Sequence, residues 1–156
     1  MIKKTLVMSV LLTLFSSAQA QIDNTKWVKH FYNEVLNNGN LELIDNLVSD
    51  TYQEHEPLPG FESNKEGLRE FFAMMLNAFP DLHNKIEFTV TQGDKVVSYI
   101  TLSGTHKDTY MGVPATGNEF EMTVVDIIKV VDGKMTDHWG VGDYMTMMVQ
   151  LGIIVQ

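Results

Sequence analysis

The sequence predicts an α+β domain in which helices come first and an antiparallel sheet follows. Two observations carry that prediction. Apolar residues recur about every four positions as far as Pro80 and every second position after it, the spacings of helix and of pleated strand. Between two of the later runs stands Asp132-Gly133, a two-residue turn signal that folds neighbouring strands back antiparallel.

Residues 1–20 belong to neither pattern. Lys3 and Lys4 precede an uncharged run from Thr5 to Phe15, and Ala18-Gln19-Ala20 offers the small side chains that a signal peptidase accepts. The run is shorter than the ~20 apolar residues a spanning helix needs. Residues 1–20 are therefore expected to be a secretory signal, cleaved near Gln21, leaving residues 21–156 as one domain in the periplasm or outside the cell. Losing Lys3 and Lys4, with no acid lost, takes the formal charge from −9 to −11. A chain so acidic repels phosphate backbones and anionic lipid, which excludes nucleic acid and, once the signal is gone, the membrane as partners. There is no cysteine, so packing alone must hold the domain in an oxidising compartment.

Trp27, Phe31 and Val35 predict an amphipathic helix from Thr25 to Asn38, with Asn24 or Thr25 as its cap and Gly39 as its stop. Leu41, Ile44, Leu47 and Val48 predict a short second helix, its first amides met by Asn40. Ser63-Asn64-Lys65-Glu66 has capping-box spacing, and Leu68, Phe71, Phe72, Met75 and Phe79 continue it as a third helix that Pro80 ends. Three helices thus precede the first expected strand. In that strand Ile86, Phe88 and Val90 alternate with polar residues, and Gly93-Asp94 then turns the chain. Lys95 to His106 places Val96, Ile100, Leu102, Gly104 and His106 on one face, and residues 107–117, with two glycines and a proline, read as a connection. Phe120, Met122, Val124, Ile128 and Val130 form the apolar row of the next strand, which Asp126 interrupts. Lys134 to Trp139 returns from the turn, and a last helix from about Tyr144 to Leu151 closes the domain.

The order of short motifs in the last third carries a resemblance. Gly104-Thr105-His106, Gly112-Val113-Pro114-Ala115-Thr116-Gly117, Asp132-Gly133-Lys134, Asp137-His138-Trp139, Asp143 and Gln150-Leu151-Gly152 follow one another, with His55-Glu56-Pro57 and Phe79-Pro80-Asp81 upstream. Together they resemble the SnoaL-like polyketide cyclase, or ester cyclase, family. The resemblance spans nearly all of residues 21–156. It implies the cystatin-like cone of the nuclear transport factor 2-like superfold, a curved antiparallel sheet wrapped by N-terminal helices around one central pocket. It also implies a cofactor-independent enzyme whose pocket carboxylate catalyses an intramolecular aldol closure, and a homodimer formed through the outer sheet face, where Val125 and Ile127 would lie. Because this superfold hosts isomerases, dehydratases, cyclases and plain binding proteins, individual residues must decide function.

Asp143 matches the acidic residue seven positions before the Gln-Leu-Gly signature, which the resemblance makes the acid/base group. One carboxyl can remove a proton beside a carbonyl and then protonate the oxyanion formed, provided its pKa is raised. Trp139, Tyr144 and the methionines Met145, Met147 and Met148 would raise it by desolvation; the competing role for Asp143 is to cap the last helix. Asp126 stands out from the residues alone, because a carboxylate on an apolar row needs a partner or a pocket. His106, closing the other inward row, is the candidate partner, either polarising a substrate carbonyl or pairing with Asp126 to join two strands. Hairpin register decides the rest: a two-residue Asp132-Gly133 turn puts Trp139 beside Asp126, and a bulged turn puts His138 there. His55, His138, Trp139 and Tyr144 are thus the candidate substrate contacts, with Asp143, His106 and Asp126 the candidate catalytic set. No histidine spacing suits a metal, and no nucleophile elbow, phosphate loop or dinucleotide fingerprint occurs, so cofactor-free chemistry is the expectation. The expected substrate is a small apolar carbonyl compound undergoing cyclisation, isomerisation or dehydration, all of which begin with proton transfer beside the carbonyl. The alternative is a periplasmic or secreted protein that holds a small hydrophobic ligand in the same pocket without transforming it.

Overall fold

The structure is a computed structural model that describes residues 24–154; the expected signal at 1–20 lies outside the described residues. Helix α1 is regular over residues 24–31 and widens into a π-helical turn at Tyr32–Asn37. The widened turn lets Phe31, Tyr32, Val35 and Leu36 all face inward, a broader face than a four-residue spacing predicts. Helix α2 joins a 3-10 turn, Leu41–Leu43, to one α turn, Ile44–Leu47. Asn40 does not cap it; its amide donates to Glu34 instead. Helix α3, Lys65–Ala78, starts at Asn64, whose Oδ1 accepts from the Gly67 N–H at 3.0 Å, one residue later than the capping-box spacing implies. Pro80 follows its end and forbids a further turn.

Five strands follow the order β1-β5-β4-β3-β2 across one sheet. They are β1 (Val48–Glu54), β2 (His83–Gln92), β3 (Lys95–Thr105), β4 (Glu119–Val131) and β5 (Lys134–Gly142), and helix α4 (Tyr144–Gln150) closes the chain. The α+β class agrees with the sequence reading, and two of its details do not. Strand β1 lies between α2 and α3, so three helices do not precede the first strand, and it pairs parallel with β5, which makes the sheet mixed. Its only buried residues are Val48 and Tyr52, four apart, so the strand carries a helical spacing and no alternation to read.

The inner sheet face presents Val96, Ile100, Leu102, Met122, Ile128 and Met135 to α1 and α3, which answer with Phe31, Val35, Phe72 and Met75. Strand β2 departs from its expected row at a bulge between Ile86 and Phe88. Beyond it Phe88 and Val90 turn to the outer face, where Phe88 stacks on Tyr99 at 5.1 Å.

Candidate active site

The β4–β5 hairpin settles which side chains face the interior. Asp132 and Gly133 take φ of 50° and 73°, the left-handed pair that a type I′ turn requires, and Val131 and Val130 pair with Lys134 and Met135. The register then slips at Thr136, so Lys129 pairs with Asp137, Ile128 with His138 and Asp126 with Gly140. Both sequence alternatives are realised in part: the turn has two residues, and the bulge lies just beyond it. The slip sends His138 inward beside Asp126 and Trp139 outward.

His138 lies between two carboxylates. Its Nδ1 is 2.6 Å from Glu54 Oε2 and its Nε2 is 3.4 Å from Asp126 Oδ1. Tyr52 Oη donates to Glu54 Oε2 at 2.6 Å, the Glu56 N–H donates to Glu54 Oε1 at 3.2 Å, and Tyr32 Oη donates to Asp126 Oδ2 at 2.5 Å. Burial disfavours charge on His138, but Asp126 and Glu54 outweigh it and the imidazole pKa is pushed up to about 10. At neutral pH His138 is an imidazolium, hydrogen-bonded to Glu54 through Nδ1 and in a longer ionic contact with Asp126 through Nε2. Burial would likewise raise Glu54, yet its bonds from His138 and Tyr52 hold it below the ordinary carboxylate range. The phenols of Tyr32 and Tyr52 are raised, first by burial and then by the carboxylates they serve, so both remain donors.

Glycine makes room for this group. A Cβ at Gly140 would lie 2.8 Å from His138 Cε1 and 2.9 Å from Asp126 Oδ1, closer than packed atoms approach. The network ends on a cavity of about 100 Å³ whose walls include Phe31, Phe72, Leu102, Met122 and Ile128. Glu54, Asp126, His138, Tyr144 and Asn84 are polar residues on its lining, and among the described residues no lysine or arginine lines it.

Of the residues singled out from sequence, Asp126, His138 and Tyr144 line the cavity, and burial raises the Tyr144 phenol. Asp143 does not. It is exposed at the start of α4, accepts from the Thr146 N–H at 3.1 Å, and is lowered in pKa by that bond, opposite to the shift an acid/base carboxyl needs. The capping role wins because the helix start supplies free amides and no apolar wall covers the carboxylate. His106 does not meet Asp126 either. It is fully buried at the end of β3 against Phe79, with Nδ1 bonded to Thr116 and, among the described residues, no partner for Nε2. Asp126 lies far from that strand end, since its direct neighbour across the β3–β4 ladder is Ser98, near the strand's start. Trp139 and His55 stack at 4.2 Å outside the cavity, and His55 Nε2 contacts Asp137 Oδ1 at 3.0 Å. Glu54, Tyr52 and Tyr32 escaped the sequence reading. Glu54 and Tyr52 belong to the strand that shows no alternation, and Tyr32 reaches the interior only through the π-helical turn.

The SnoaL-like polyketide cyclase family model matches residues 26–151. Aklanonic acid methyl ester cyclase DnrD of Streptomyces peucetius is 38% identical over 60 residues, which are 38% of this chain and 41% of that protein, so the match spans about two fifths of the relative's length. Nogalonic acid methyl ester cyclase of Streptomyces nogalater is 25% identical over 118 residues, 74% of this chain and 88% of that one. In three dimensions the chain is similar to IdmH from Streptomyces antibioticus, with a TM-score of 0.72 and 32% identity over 83% of this chain and 98% of IdmH. With the family model covering most of its length and a shared architecture, the chain belongs to the SnoaL-like polyketide cyclase family.

Proposed function

We propose that this protein is a cofactor-independent enzyme that moves a proton beside a carbonyl, with Asp126 as base and His138 as oxyanion donor. The observation that carries the reading is the 3.4 Å between Asp126 Oδ1 and His138 Nε2, an acceptor and a cationic donor side by side at the cavity. An enolisable substrate presents the matching pair, an α C–H and the oxygen of the neighbouring carbonyl. Asp126 takes the proton, the C–H electron pair moves to the carbonyl oxygen, and the His138 N–H holds the enolate. In a ring closure the enolate carbon then bonds to a second carbonyl carbon, and the proton on Asp126 passes to the new alkoxide. Glu54 keeps the imidazole charged and correctly turned, while Tyr32 holds the far oxygen of Asp126. Two of the relatives named above are methyl ester cyclases by name, which favours an ester or β-keto ester as the activating group here.

The test is proton–deuterium exchange by NMR at the activated carbon of a panel of β-keto esters and cyclic ketones. Wild type should accelerate exchange, and Asp126→Asn should lose 10²–10⁴-fold of that acceleration, the usual worth of a positioned base. Binding of a panel member without exchange by the folded wild type would instead establish the ligand-holding alternative. The same proposal includes export through residues 1–20, checked by the N-terminal sequence of protein recovered from cell fractions. It also includes a homodimer through the outer face bearing Val125, Ile127, Phe88 and Tyr99, checked by sedimentation.

A further inference from the structure

We propose that Asn84 is a second recognition point of the cavity, accepting a hydrogen bond from a hydroxyl at the end of the substrate remote from the reacting carbonyl. This rests on the acid/base reading only for what happens at the opposite end. Asn84 lines the cavity and is 7% exposed, and among the described residues its buried side-chain Oδ1 has no hydrogen-bond partner. Its backbone is held twice by one side chain. The Asn84 N–H donates to Asn37 Oδ1 at 2.7 Å and Asn37 Nδ2 donates to the Asn84 carbonyl at 3.0 Å, so the π-helical turn of α1 clamps this end of strand β2. The carboxamide is therefore presented on a fixed backbone, and among the described residues its Oδ1 has no bond that explains its polarity.

Its neighbours sharpen the point. Across the ladder Asn84 pairs with Leu102, and Leu102 with Met122, both apolar and both lining the cavity. An aliphatic side chain would continue that row, whereas a buried amide atom left unpaired is costly enough to demand an explanation. Asp126 lies two strands away and four residues further along the ladder from Met122, so the carboxamide and the acid/base pair occupy separate regions of one apolar chamber. A volume of about 100 Å³ is small beside the ~300–1,000 Å³ typical of ligand pockets. The two facts together point to a substrate class: a compact ketone or ester with a hydroxyl, as hydrogen-bond donor, remote from the carbonyl.

Cyclohexanone and 3- and 4-hydroxycyclohexanone are the probes, with dissociation constants from NMR titration and α-proton exchange measured on the same samples. For wild type, at least one hydroxyketone should bind ~10-fold or more tightly than cyclohexanone, the worth of one hydrogen bond to a buried neutral group. Asn84→Leu, or Asn84→Ala if the leucine variant does not fold, should bring that ratio to about one while cyclohexanone binds as before. The proposal is overturned if wild type binds all three alike or none of them, if the preference survives both substitutions, or if the substitutions weaken all three equally, as a purely structural role would. A preference that vanishes in Asn84→Leu without any α-exchange in wild type would uphold Asn84 and remove the acid/base reading instead.

Discussion

Replacing His138 by glutamine should move the pH range over which this protein loses stability from the alkaline side of neutrality to the acid side. In the wild type the imidazole is held at about 10 in the folded state, against its ordinary value near 6.5, by Asp126 and Glu54 acting against burial. A raised folded value means stability that is complete below about pH 6.5 and is lost as pH climbs toward 10. Within that window the slope reaches about 1.4 kcal/mol per pH unit, one proton's worth. Tyr32 and Tyr52, raised above their ordinary values, contribute their losses only above about pH 10, outside it. Glu54, lowered, contributes stability that disappears only as pH falls below the ordinary carboxylate range. Glutamine keeps a hydrogen-bonding side chain but leaves two buried carboxylates without a countercharge, a loss of roughly 3–5 kcal/mol at pH 8. Acid should relieve it, since a protonated carboxyl needs no cation. Urea denaturation of both proteins at intervals from pH 5 to 9.5 measures this directly. Wild type should weaken steadily above pH 7, and the variant should be weakest at high pH and gain toward pH 5. A wild-type profile flat from pH 7 to 9.5, with a variant that loses under 1 kcal/mol, would show that no buried imidazolium joins the two acids.

Three further outcomes follow from the same geometry. Gly140→Ala places a methyl against His138 Cε1 and Asp126 Oδ1, so it should destabilise by about 1–3 kcal/mol by overpacking and cut α-exchange at least tenfold, read by denaturation and NMR. Asp143→Ala removes an exposed cap: the urea midpoint should fall slightly while α-exchange stays within twofold of wild type, and a larger kinetic loss would return Asp143 to the chemistry. Tyr32→Phe strips the donor from Asp126 Oδ2; a loss of about 1.5–3 kcal/mol is expected at pH 7, the worth of a hydrogen bond to a buried charge, measured by urea denaturation.

How much of this was legible beforehand depends on how far apart in the chain the deciding residues stand. Asn64 at the start of α3, the repeat from Leu68 to Met75, Pro80 after its end and the left-handed Asp132-Gly133 turn are local properties, set by steric preference and hydrophobic spacing within a few residues. The sequence by itself therefore determined the helices, four of the five strands, the hairpin and the conspicuous carboxylate of Asp126, a charge on an apolar row that had to find a partner or a pocket. The partner was decided by tertiary structure. One bulged residue at Thr136 exchanges His138 for Trp139 inside the cavity, and the sequence had left that choice open because bulging depends on how a twisted strand packs against its neighbours. Glu54 reaches His138 because β1 joins β5 in parallel from far back in the chain, and Tyr32 reaches Asp126 because α1 widens where it crosses the sheet. Asp143 shows the converse: a motif position can name a carboxylate, but only the surrounding packing determines whether it faces water or an apolar chamber, and that sets the direction of its pKa.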